Sequence, residues 1–469
     1  MKPVARFFPF PLSFVAALSL SCDVQQPSAP APTLSLDKSA AGGNRDCAAG
    51  PGERDARRVN TPLALTCVIT VPGNPIASSD IAWVDRTTER YYVADRSNSG
   101  VDIIDAEHDA YVGRVGGMAG GFPTTPTTGG GTATSNGAGP NGVVVTPNGH
   151  LWAGDGNSTV QVADLGQLKI IKSVSTAITA CDGGTATTHY CGRADEIGYD
   201  PEDHIILIAN PSPLSPTKCS ATGANCTNAA GVAAAGAALD PYATFISAAP
   251  PYAVLGRLTF AGAGGLEQPL WDPENHRLYL TVPGKTGVTP ASVAVINPTT
   301  RMVEKTYTLD CLALTGVAGV GTTGIALGAS QHLLVSACGF PIILHALTGT
   351  VINVIKQVGG GDEVWYNPGD RRFYVTGVDP AVTPPAPAQS LGVINAETAT
   401  WLQNVTIVRG KNPASFAENN QTFAIVQITA AIAAGTATDS TACAQFGSKR
   451  TGCIAVFTHT GRVEDDKDE

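Results

Sequence analysis

Short runs of alternating hydrophobic and polar residues, each broken by a tight polar turn, fill the chain from residue 63 to residue 463. A period of two along a short run is the signature of a strand with one face buried. The pattern of strand, small turn and strand comes back seven times: Val101–Val115, Val160–Val174, Ala243–Leu258, Val293–Leu309, Pro341–Ile355, Gly392–Val405 and Cys453–Val463. Each is preceded by a second phrase of the same kind, such as Asp195-Glu196-Ile197-Gly198-Tyr199-Asp200-Pro201 before IILIAN. Others are Glu267 to Pro273 before RLYLTV and Asp362 to Pro368 before RFYVTG. Proline presets the turn and Asp or Asn caps it. Four strands per unit and seven units predict an all-β, seven-bladed β-propeller with four-stranded antiparallel blades. The alternation in Leu63–Val71 predicts a strand that pairs with the last blade and closes the ring, which removes open sheet edges.

The repeat averages about 55 residues, longer than typical units of roughly 40–50. The surplus lies in Gly, Thr and Ala-rich insertions at Gly116–Gly139, Pro211–Asp240, Val378–Ser390 and Thr429–Gly452, which read as loops. Ahead of the blades, residues 23–62 are rich in Pro, Ala and Ser and read as a flexible tether. Residues 464–469 form an acidic tail.

Residues 1–22 resemble an export signal, with Lys2 and Arg6 ahead of the apolar run Phe7–Leu20. That run is too short and Pro-broken for a spanning helix, and no other run is apolar enough. Cys22 follows a stretch like a lipoprotein cleavage box, so it is either a lipid anchor or an incidental thiol near an ordinary cleavage site. Ten cysteines remain, an even number that reads as disulfides in an exported chain. Neighbour pairing gives Cys47–Cys67, Cys181–Cys191, Cys219–Cys226, Cys311–Cys338 and Cys443–Cys453. The expected location is periplasmic, outer-membrane-bound or extracellular. The formal charge of −10 disfavours nucleic acid as a partner. The absence of CxxCH and of a P-loop disfavours covalent haem and nucleotide. A monomer that meets a small molecule or an envelope protein is the expectation.

The "VIN/VID" turns and "YVT/YVA" second strands resemble the YVTN or YncE-like seven-bladed propellers of exported bacterial proteins. The segment Gly139–Asp164 is also similar to NHL repeats and to gluconolactonase-type lactonases. Those families host binding proteins and enzymes alike, so the resemblance implies a fold more firmly than a reaction.

By that resemblance, the start of each blade's first strand opens on the face that carries a site. Aligning the seven phrases gathers Ser79, Asn141, Asp195, Glu267, Thr323, Asp362 and Asn412 at this entry. One position further come Asp80, Gly142, Glu196, Gln268, Gly324, Glu363 and Pro413. Converging hard oxygens suit calcium or another divalent cation, with Asp195, Glu267, Asp362 and Asn141 as ligands. Glu196, Glu363 and His189 are the candidate acid or base groups. Asp80, Gln268, Thr323, Asn412, Arg193 and Arg96 are candidate ligand contacts. A wet channel lining is the structural alternative. Two functional readings stay open: a binding module at an acidic channel mouth, or a metal-dependent hydrolase or lyase using the same carboxylates. His150, His204, His276 and His332 share one register after a turn and are expected to be turn residues on the opposite face. Trp83, Trp271, Trp365 and Tyr199 are expected to fill core between blades.

Overall fold

In a computed structural model of the chain, residues 62–118, 139–156, 158–177, 193–211, 240–382 and 389–459 are described, together with Cys47. They form seven four-stranded antiparallel sheets. Each sheet is one blade, and its first strand is innermost. The inner strands are Ala82–Asp85, Val143–Thr146, Ile197–Asp200, Pro269–Asp272, Thr322–Leu327, Val364–Asn367 and Gly410–Phe416, which number blades 1 to 7. Each packs against the inner strands before and after it, and that of blade 7 returns to blade 1. The array is therefore a closed propeller, as the repeat predicts.

Closure comes from the two ends of the propeller. Leu63–Ile69 pairs antiparallel with Cys453–His459 and supplies the outer strand of blade 7. Of the seventh hairpin expected at Cys453–Val463, the strand Cys453–His459 forms and pairs with the strand from the other end of the chain, and residues 460–463 lie outside the described residues. Residues 460–469 lie outside the described residues, as do the signal, most of the tether and much of three insertions. The fourth insertion is more ordered than a plain loop. It carries short helices at Ala430–Ala433 and Ala442–Gln445. Disulfides join Cys47 to Cys67, Cys311 to Cys338 and Cys443 to Cys453, as neighbour pairing predicts. The other two expected pairs lie outside the described residues.

In blades 1, 3, 4 and 6 the turn after the inner strand follows the chemistry read from the repeat. The Asp85 carboxylate accepts from the amides of Thr87 and Thr88, and Asp200 from those of Glu202 and Asp203. Asp272 does the same for Glu274 and Asn275, and Asn367 for Gly369. Each turn has a left-handed residue, at Glu89, Gly149, His204, His276, Gln331, Arg371 and Asn420, and the turn of blade 5 has a second one at Ser330. His204 and His276 occupy that position, while His150 and His332 come one place later or next to it. The four face separate partners: His150 lies by Tyr252, His204 by Tyr199, His276 by Glu202 and His332 by the Ala396 carbonyl. His204 and His276 are turn residues, whereas His150 and His332 open the strands His150–Asp155 and His332–Ala337.

The aromatic residues of the inner strands pack between blades. Tyr199 joins the core of blades 2 and 3, and Trp271 that of blades 3 and 4. Trp83 packs on the cores that blade 2 shares with both neighbours, and its ring meets Trp365 of blade 6 edge-on, with centroids 5.5 Å apart. Blade 7 lies between these two and carries the small Ala414 at the matching position. The two indoles thus meet across the blade that carries that alanine.

Candidate functional site

Backbone register decides which residues ring the mouth. The amide of Asp80 donates to the Ala94 carbonyl at 2.8 Å, and Asn141 to Gly154 at 2.8 Å. In the same way Asp195 donates to Ala209 at 3.0 Å and Glu267 to Thr281 at 3.1 Å. Each of these residues stands five places before the residue that ends its inner strand: Asp85, Thr146, Asp200 and Asp272. The same count back from Asn367 reaches Asp362. Asp80, not Ser79, is therefore the ring residue of blade 1. Ser79 instead accepts from Gln427 and ties blade 1 to blade 7.

In blade 7 a bulge separates the Lys411 and Ala414 pairings. Lys411, five places before the strand-ending Phe416, pairs with Ile425, and Asn412 and Pro413 lie at the bulge. Bulges re-aim side chains near sites. Asn412 is fully buried in a left-handed conformation, and neither polar atom of its side-chain amide has a partner among the described residues. Lys411 was missed in the sequence because an Asn-Pro pair imitates the other entry phrases.

The predicted residues divide into two sets. One is held by local partners. The Arg96 guanidinium pairs with Asp80 and donates to Asn141 Oδ1 at 2.7 and 3.0 Å, bridging blades 1 and 2. Asn141 in turn donates to the Ala194 carbonyl at 2.7 Å. Arg193 pairs with Asp195. Thr323 donates to the Gly361 carbonyl at 2.5 Å. Gln268 accepts from the Ile325 amide and Glu363 from the Ala82 amide, both at 2.9 Å. These last two bind the inner strands of other blades together. His189 lies outside the described residues.

The second set is Glu196, Glu267 and Asp362, from blades 3, 4 and 6. One carboxylate oxygen of each lies within 4.8 Å of the other two. Glu196 occupies the same register as Gln268 and Glu363, but its Oε2 is buried with no partner among the described residues. Two glycines let the strands come this close. A Cβ on Gly142 would lie 2.5 Å from the Glu196 Cα, and one on Gly324 would lie 2.5 Å from the Asp362 carbonyl oxygen. Gly142 also donates its amide to the Asp195 carbonyl at 3.0 Å. The Asn-Gly pair thus serves blade packing as well as lining the mouth.

Burial dominates the electrostatics. It pushes the Asp195 carboxyl up to about 7, against the pull of Arg193 and with a further push from Asp80. Burial and then the Glu267 charge hold Glu196 well above the usual carboxylate range. Glu267 is raised in the same way by burial and then Asp195. Asp362 rises through burial and then Asp80, while Lys411 and the two arginines draw it down. Glu363 is raised by burial, with the Ala82 amide opposing. Like charges this close do not all ionise without a cation or shared protons.

No protein-family model matches the chain, and no curated protein matches it. The likeness to YVTN-type propellers holds at the level of the seven four-stranded blades. The chemistry of the mouth carries the functional reading.

Proposed function

We propose that this protein is an exported binding module whose channel mouth takes a divalent cation of the calcium or magnesium kind. The observation that carries the reading is the convergence of Glu196, Glu267 and Asp362 from three blades. Calcium binds oxygen at about 2.3–2.6 Å, so two ligands of one ion lie at most about 5 Å apart. The trio meets that bound, and its donors are hard oxygens. Charge agrees. Asp80, Asp195, Glu196, Glu267 and Asp362 act on one another, against Arg96, Arg193 and Lys411. The acids outnumber the bases, so a divalent cation would relieve their mutual repulsion. Export is supported by the three disulfides, which persist in oxidising compartments.

Calcium titration by calorimetry tests the proposal. The parent protein should bind, and the double variant Glu267→Gln/Asp362→Asn should bind at least tenfold more weakly, a difference of about 1.4 kcal/mol or more. Its melting temperature should not fall, because both changes remove like-charge repulsion within the acid cluster. No binding heat from calcium or magnesium in the parent sinks the idea.

A further inference from the structure

Arg193 is the unusual cation of the mouth. Its Nη2 pairs with Asp195, while its Nη1 is buried with no acceptor among the described residues. Its charge also acts on Asp80, Glu267 and Glu196, so the guanidinium stands among the converging acids. Two orphaned acceptors accompany this orphaned donor. Asp195 is 1% exposed and its Oδ1 has no partner among the described residues, and the same holds for Oε2 of Glu196, which is 3% exposed. A buried polar group left without a partner costs about 1–3 kcal/mol, so such groups in one place point to something that satisfies them. A bare cation satisfies only the acceptors. A guanidinium N–H needs an oxygen, and it bonds best to a charged one.

Resting on the cation reading above, we propose that the mouth takes the cation together with a carboxylate-bearing ligand. The acids hold the metal, and Arg193 Nη1 donates to a carboxylate oxygen of that ligand. Lys411 lies on the Asp362 side and adds positive charge there. The site is thus dipolar, with an acid trio for the metal and a guanidinium for the ligand's anion. Cation and carboxylate should bind with positive linkage, because each neutralises charge the other meets.

The full-length protein, titrated with calcium in chloride buffer and again with acetate replacing chloride at equal ionic strength, provides the test. Acetate should tighten calcium binding about fivefold or more. In Arg193→Gln the acetate effect should vanish while calcium still binds, as tightly as in the parent or more so, since a positive charge has gone. Arg193→Lys keeps the charge and should keep only part of the effect, and calcium-induced thermal stabilisation reports folding for both variants. Calcium binding in the parent that ignores acetate overturns the inference and leaves the cation reading standing. An acetate effect that survives in Arg193→Gln overturns the role of Arg193. No calcium binding at all removes both.

Discussion

Leu63 stands directly opposite His459 in the antiparallel pair that joins the two ends of the propeller. The contact is reinforced from the neighbouring blade. The Leu63 amide donates to Gln403 Oε1 at 3.0 Å, and Gln403 Nε2 donates to the Leu63 carbonyl at 2.9 Å. His459 lies 3.0 Å from Asp370 of blade 6 through Nε2. The closing strand is therefore clasped by blade 6 as well as paired within blade 7. Val68 is fully buried in the core beneath it. Val68→Asp should lower the unfolding free energy by several kcal/mol, since it puts an unpaired charge into that core. Urea unfolding of the variant checks this, and an unchanged midpoint would mean that the strand does not lock the ring.

The meeting of Trp83 and Trp365 in front of Ala414 makes a second expectation. Each indole supports the other across a blade that offers only a methyl group. Trp365→Ala should cost about 3 kcal/mol, near the lower end for large aromatic truncations because the ring is only partly buried. Ala414→Leu should also destabilise, by overpacking the same space, at about 1–3 kcal/mol. If both substitutions left the thermal midpoint unmoved, the two indoles would not be supporting each other across blade 7.

Much of this arrangement is legible from residue order. A period of two, punctuated by Asp or Asn caps, gives strands whose number and pairing follow from the repeat. The three described disulfides join cysteines next to each other in sequence, 10 to 27 residues apart. The mouth is harder to read. Ser79-Asp80 looks like Asp195-Glu196 shifted by one place, and only counting back from the capping Asp85 sets Asp80 in the ring. The bulge in blade 7 hides Lys411, because an inserted residue leaves no mark on hydrophobic alternation. Partner choice is invisible in the chain. Nothing in the shared register of Glu196, Gln268 and Glu363 says that two will bind backbone amides while the third turns to the acid cluster.

That division gives the pH dependence its sign. Asp195, pushed up to about 7, and Glu196, Glu267, Asp362 and Glu363, all raised, hold protons in the folded state that the unfolded chain releases near pH 4. The unfolded state thus binds fewer protons above about pH 4, and stability must fall as pH rises. The stabilising effect is complete below about pH 4 and declines through pH 7 and beyond, by about 1.4 kcal/mol per pH unit for each proton in question. With a chelator present, the melting temperature should drop between pH 5 and pH 8, and excess calcium should flatten that drop by taking the place of the protons. Glu363→Gln isolates one group. The amide oxygen still accepts from Ala82, so the variant should keep its fold and its calcium affinity within about twofold, equivalent to roughly 0.4 kcal/mol, while the fall with pH becomes shallower. A melting temperature that rises from pH 5 to pH 8 in the chelator would show that these carboxyls are already ionised and balanced in the folded protein, and that the mouth has no use for a further cation.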